Sequence, residues 1–168
     1  MSEQLIAGIE TGGTKILARI ADADGKVAAN GRWPTSTSEA ALQDLVEFVS
    51  CSTGGARLAA IGMAAFGPLV TDHASPDYGL MLATTKPGWS GSNLRAGLAA
   101  RFDVPTVVDR DVNAAALAEQ FFGAGGGLPS VAYVTVGTGI GAGLAIKGRS
   151  LNGVMHPEAG HLLLNRQG

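Results

Sequence analysis

Apolar, strand-like runs separated by polar turns dominate the first third of the chain. Leu5 to Ile9, Lys15 to Ala21 and Val27 to Trp33 predict three strands, and Asp22-Ala23-Asp24-Gly25 supplies the Asp-Gly turn chemistry that joins the second and third as a hairpin. The period then changes. Ser36 followed by Glu39 fits a capping box, and Leu42, Leu45, Val46 and Val49 fall on one face of a helix ending near Cys51, where Thr53-Gly54-Gly55 stops it. Leu58 to Ala65 predicts a buried strand. Phe66 to Asn93 is long and irregular, and its Tyr78, Leu80, Met81, Leu82 and Trp89 argue for an ordered, functional segment rather than disorder. Leu94 to Phe102 predicts a helix, Thr106 to Asp109 a strand, and Val112 to Phe122 an Ala-rich helix leading to the flexible break Gly123 to Leu128. Val131 to Val136, Gly143 to Ile146 and Leu162 to Asn165 predict strands of a second sheet. The expected organisation is a first α/β domain over residues 1–123 and the start of a second over residues 129–168.

Two glycine-rich loops interrupt these runs in the same way. Ile9-Glu10-Thr11-Gly12-Gly13-Thr14-Lys15 and Val136-Gly137-Thr138-Gly139-Ile140-Gly141-Ala142-Gly143 each join two apolar strands, and superposing Thr11-Gly12 on Thr138-Gly139 aligns Ile16-Leu17-Ala18 with Gly143-Leu144-Ala145 as a weak internal repeat. Glycines permit positive φ and close backbone approach to a ligand, and exposed N–H groups with threonine hydroxyls beside them form a cradle for phosphate oxygens. Two such loops predict two jaws on one polyphosphate; the bland alternative is a pair of glycine hairpins without ligand. The first is not a Walker A loop, because Lys15 follows Thr14 and a strand follows it. Gly137, Gly139 and Ala142 meet the loose dinucleotide pattern, but a strand rather than a helix comes next.

Composition narrows the partners. The chain has 168 residues, a net charge of -2, 46% hydrophobic and 15% charged residues, and no Lys/Arg stripe, so nucleic acid is not expected. No apolar stretch reaches a membrane span and Met1-Ser2-Glu3-Gln4 lacks a basic leader region, which predicts a cytoplasmic protein. Cys51 is the single cysteine, so neither an intramolecular disulfide nor a cysteine-rich zinc site can be completed within the chain.

Two polar clusters carry candidate chemistry. Asp109, Asp111 and Asn113 sit where a strand runs into a helix, the place at which side chains reach a ligand crevice beside an α/β sheet. Asp111 is expected at the helix N-cap; capping would use one of the three, and a carboxylate there can accept a proton from a substrate hydroxyl attacking phosphorus. His156-Pro157-Glu158-Ala159-Gly160-His161 fails the helical zincin spacing, with histidines five apart and a proline between them. Glu158 and His161 either hydrogen-bond a polyhydroxylated ligand or serve the fold alone.

In their order, Gly8 to Lys15, Asp111 to Leu117, Gly137 to Gly143 and Glu158 to His161 resemble the ROK family of sugar kinases and sugar-responsive repressors over essentially the whole chain. Phe66-Gly67-Pro68 and Thr85-Lys86-Pro87-Gly88-Trp89 look like its fructokinase branch. The resemblance implies an actin-like ATPase fold of two ribonuclease-H-like domains with ATP, Mg2+ and sugar between them. It implies that Asp111 is the catalytic base and that Gly67, Pro68, Asn113, Glu158 and His161 are on the sugar side. Glu10, Thr11, Gly12, Gly13, Thr14, Lys15, Thr138, Gly139 and Gly141 would lie around the ATP phosphates and metal. The implied acceptor is the 6-hydroxyl of fructose, with glucose, mannose or an N-acylated hexosamine as alternative substrates.

Several departures shape these expectations. Glu10 stands where many relatives have Asp, a Glu that fructokinase-like members share, and Arg110 replaces an Asn typical of glucose-specific relatives. Relatives continue past the counterpart of Gly168 through a Cys/His zinc loop in which the counterpart of His161 is a ligand; His161 alone cannot hold a structural zinc, so Zn2+ is not expected here. The short second sheet is then expected to expose apolar area that favours a homodimer or other self-association, and the isolated chain to turn over poorly or act as a non-catalytic sugar-binding fragment. A repressor would need a helix-turn-helix ahead of Leu5, and four residues precede it.

Overall fold

The computed structural model describes residues 4–137 and 139–152. They divide between two compact units, Met1–Asp109 and Arg110–Gly168. The first is built on a five-stranded sheet of β1 (Gln4–Thr11), β2 (Lys15–Asp22), β3 (Val27–Pro34), β4 (Arg57–Ala65) and β5 (Thr106–Arg110), in the order β3-β2-β1-β4-β5. β1, β2 and β3 form the predicted antiparallel meander, and β4 returns parallel to β1. The Asp-Gly turn closes as its sequence requires: Gly25 has φ +81°, and Asp22 Oδ1 accepts the amides of Asp24 and Lys26 at 3.0 and 2.8 Å.

Alternation along the strands sends one set of side chains inward. Leu5, Ala7, Ile9 and Thr11 of β1 join Ile16, Ala18 and Ile20 of β2 and Ile61, Met63 and Ala65 of β4 in the core. Helix α1 (Ser38–Ser52) covers them with Ala41, Leu45 and Val49, and α2 (Leu94–Phe102) with Leu94 and Leu98. Glu10 and Ile6, on the other face of β1, remain exposed.

The α1 cap is Thr37, not Ser36: Thr37 Oγ1 accepts the Ala40 amide at 3.4 Å. Long-range contacts flank that position. The Trp89 indole donates to the Ser36 carbonyl at 2.7 Å, and the Ser38 hydroxyl donates to the Gly88 carbonyl at 2.6 Å.

Outside one bridge between Leu69 and Met81, residues 66–93 form turns and irregular chain, as predicted, and they are anchored. Trp89 is 1% exposed and packs on Phe66. The Tyr78 hydroxyl bonds Val108 twice, donating to its carbonyl and accepting from its amide, each at 2.8 Å. Burial pushes the Tyr78 phenol above its ordinary value of 10.0, opposed by the Val108 hydrogen bond and the Arg95 charge and reinforced by Asp109.

In the second unit, α3 (Asp111–Phe122) packs on the antiparallel hairpin of β6 (Ser130–Val136) and β7 (Ile140–Ile146), with β8 (Arg149–Ser150) beside β7. Gly123 to Leu128 is a turn-rich connection within this unit. β7 begins at Ile140 rather than Gly143, because Thr135 and Val136 continue the ladder opposite Gly141 and Ile140. Val134, Val136 and Ile140 are exposed. The strand predicted at Leu162 to Asn165 lies outside the described residues. No helix among the described residues is long and apolar enough to cross a membrane.

Candidate functional site

Both glycine loops are tips of antiparallel hairpins, β1–β2 and β6–β7. The first is held by its carbonyls. Gly12 O accepts the Thr35 hydroxyl at 2.6 Å, Gly13 O accepts Lys86 Nζ at 2.8 Å, and Thr14 O accepts the Thr35 amide at 3.0 Å. The Gly12 amide closes the hairpin onto Lys15 O at 2.9 Å. Among the described residues nothing accepts from the amides of Gly13 and Thr14, and a Cβ added at Gly13 would meet open space. Carbonyls tied back and amides left over give the donor set of an anion cradle, which fits the phosphate-binding expectation for this loop.

The glycines serve a different geometry from the one expected. None of Gly12, Gly13, Gly141 and Gly143 has a positive φ. A Cβ on Gly143 would lie 2.1 Å from the Val112 carbonyl oxygen and 2.7 Å from the Asn113 amide nitrogen. Glycine is present there because the backbone of α3 rests directly on β7.

The remaining predicted residues fall into separate groups. Glu10 is exposed next to Thr11 at the end of β1, and Lys15 is exposed at the start of β2. Thr11 is 1% exposed and faces the core: its hydroxyl has no hydrogen-bond partner and lines a cavity of about 20 Å³ with Ser92 and Arg95. Gly67 and Pro68, joined by a cis peptide, follow Phe66, whose amide donates to Thr11 O at 2.9 Å, so this segment adjoins the first loop.

Asp111 is half-buried as the first residue of α3, one position inside the helix, and the N-cap is Arg110 with no side-chain capping bond. The displacement follows from β5, which runs through Arg110 before the helix begins. Asp111 Oδ1 accepts the Val112 amide at 2.9 Å, within the first helical turn that favours a carboxylate. Asn113 is fully buried and donates through Nδ2 to Asn152 Oδ1 at 2.9 Å. Gly139 is exposed at the second loop and accepts the Gly137 amide at 2.8 Å, while Gly141 packs against Val112. Thr138, Glu158 and His161 lie outside the described residues. Sequence reasoning assigned no role to Thr35 or Lys86, since their contacts with the loop join positions 23 and 73 residues apart.

The model of the ROK family matches residues 6–168. This chain belongs to the ROK family. A fructokinase from Zymomonas mobilis is 43% identical over 155 residues, covering 91% of this chain and 52% of that relative. The ROK family glucokinase from Streptomyces griseus, solved with glucose and AMPPNP, has a TM-score of 0.78 at 31% identity, over 94% of this chain and 50% of its own. The ROK hexokinase from Thermus thermophilus has a TM-score of 0.80 at 34% identity, over 96% and 54%. The fold class is therefore the actin-like ATPase fold, and the chain spans about half the length of the curated relatives it matches.

Proposed function

We propose that this chain is the phosphate-loop and sugar-binding half of an ATP-dependent hexose kinase that converts fructose to fructose 6-phosphate. The observation that carries the kinase reading is the first hairpin tip, whose carbonyls are tied back by Thr35 and Lys86 while the Gly13 and Thr14 amides are left for an anion. Phosphoryl transfer needs mainly positioning and charge stabilisation, and a backbone cradle with Lys15 beside it supplies both kinds of group. Mg2+, when bound with the nucleotide, neutralises phosphate charge. It is commonly held by one or two carboxylates together with phosphate oxygens, so exposed Glu10 suits it although the described residues contain no three-ligand cluster.

Asp111 is the general base in this reading: half-buried at the start of α3, it takes the proton of the attacking sugar hydroxyl. Gly67, Pro68, Asn113, Glu158 and His161 serve the sugar side, and Thr138, Gly139 and Gly141 form the second phosphate loop. Fructose is favoured by Glu10, by Arg110 and by the 43% identity to a fructokinase. The glucokinase neighbour solved with glucose keeps glucose as the competing substrate.

A coupled ADP-release assay on the product of the complete open reading frame tests this reading. Fructose is expected to give the highest kcat/KM, and Asp111→Asn to lower kcat by about 10²–10⁴-fold with fructose binding retained. Equal turnover of fructose and glucose removes the substrate assignment, and an active Asp111→Asn variant removes the base. The 168-residue chain alone is expected to show little turnover.

A further inference from the structure

We propose that Lys86 is a positioning residue of the first phosphate loop, holding the Gly13 carbonyl so that the Thr14 amide is presented to a nucleotide phosphate. This rests on the reading above that the loop receives a triphosphate. The argument starts from the peptide plane. In a trans peptide the C=O and the following N–H point in opposite directions, so fixing Gly13 O on one side fixes Thr14 N–H toward the other. Gly13 has no side chain to restrict its dihedrals, and a Cβ added there would meet nothing within 4 Å, so packing does not set the orientation of this peptide. The 2.8 Å bond from Lys86 Nζ does. Thr35 acts in the same way on the preceding peptide, since its hydroxyl on Gly12 O sends the Gly13 amide away from it.

A lysine is a useful clamp only if its root is fixed, because its long stem loses much rotamer freedom when held. Here the root is fixed. The Lys86 amide donates to Thr84 Oγ1 at 3.3 Å, the Trp89 amide donates to Lys86 O at 3.3 Å, and buried Trp89 anchors the turn through its bond to Ser36 O. The ammonium–carbonyl bond is charge-assisted and therefore stronger than a neutral one. Its positive charge also lies behind the cradle, where it favours an anion without touching it. Lys86 thus differs in role from Lys15, the loop's own lysine.

The test compares the parent 168-residue chain with Lys86→Met and Lys86→Arg by 15N NMR and by titration with Mg2+–AMPPNP and with fructose. Lys86→Met is expected to shift the Gly13 and Thr14 amide resonances and speed their exchange. It should weaken AMPPNP binding about tenfold and leave fructose affinity and Tm unchanged, with Lys86→Arg restoring most of the nucleotide affinity. Parental Gly13 and Thr14 amides in Lys86→Met overturn the proposal. A parallel loss of fructose affinity and Tm overturns it too, because that pattern marks a merely structural role. If the parent itself binds no AMPPNP, the kinase reading of this chain fails, and the amide comparison alone decides whether Lys86 sets the loop.

Discussion

Replacing Gly143 by alanine probes how closely α3 is seated on the second hairpin. The new Cβ would stand 2.1 Å from Val112 O, 2.3 Å from Val112 C and 2.7 Å from Asn113 N. All three are backbone atoms of the first helical turn, so no side-chain rotation relieves the clash. Ordinary contact begins near 3.4 Å, so the start of α3 must retreat from β7 by about 1.3 Å. Overpacking of this kind costs about 1–3 kcal/mol, which for a chain of this size lowers Tm by roughly 2–4 °C for each kcal/mol. Asp111 belongs to the turn that moves, and a displacement of about 1 Å at a reacting group can cost on the order of 10²-fold in rate. Gly143→Ala is therefore expected to lose kcat in the complete protein by more than its stability loss accounts for. Gly62→Ala is the control: a Cβ at that strand position meets nothing within 4 Å, so its effect should stay within about 0.5 kcal/mol. Thermal melts and ADP-release rates decide the matter. If Gly143→Ala melts and turns over like the parent, the close seating of α3 on β7 is wrong.

Two further substitutions test buried polar groups. Tyr78→Phe leaves the Val108 amide and carbonyl without their partner and should cost about 1–3 kcal/mol. Because burial raises the Tyr78 pKa, the unfolded chain loses that proton first as pH passes 10, so the stability Tyr78 contributes is present below pH 10 and declines as pH rises through the folded value. Urea melts across this range should show a steeper decline in the parent than in Tyr78→Phe, and identical slopes would sink the assignment. Thr11→Val replaces a buried hydroxyl without a partner by a methyl group and is expected to raise stability by about 1 kcal/mol with AMPPNP affinity unchanged. A lower Tm or weakened nucleotide binding would show that this hydroxyl makes a contact the fold or the ligand needs.

Local chemistry made most of the elements legible. Helix 94–102 has the limits its sequence predicts, and in the structure Asn93 caps it while Leu94 and Leu98 share its buried face. The Asp22–Gly25 turn was readable for the same reason, its side chain and glycine acting within four residues. Misplaced details depend on distant partners or on continuous chain direction. Ser36 looked like a cap, yet Thr37 caps the helix, with Trp89 and Gly88 holding the residues on either side. Asp111 looked like a cap too, but β5 extends one residue further and moves the cap to Arg110. The glycines of the second loop read as a phosphate cradle. The close seating of α3 on Gly141 and Gly143 is a further reason for glycine there, which only the tertiary structure reveals. At the candidate site, the first loop and Asp111 were evident as motifs; Lys86 lay in a segment resembling the fructokinase branch, but its bond and that of Thr35 to distant backbone carbonyls were not readable from sequence.

The double hydrogen bond of Tyr78 has a consequence for how this protein behaves in a crowded solution. β5 is the outer strand of its sheet among the described residues, and an outer strand offers unpaired amides and carbonyls to any extended segment that drifts past. With one hydroxyl, Tyr78 occupies both the donor and the acceptor of Val108, imitating a neighbouring strand for a single residue. Such a plug denies a second chain a foothold in the middle of the edge. Loss of Tyr78 would therefore be felt twice, as a lower melting point and as a new tendency to pair edge to edge with another chain, and light scattering below Tm would register the second before unfolding registered the first.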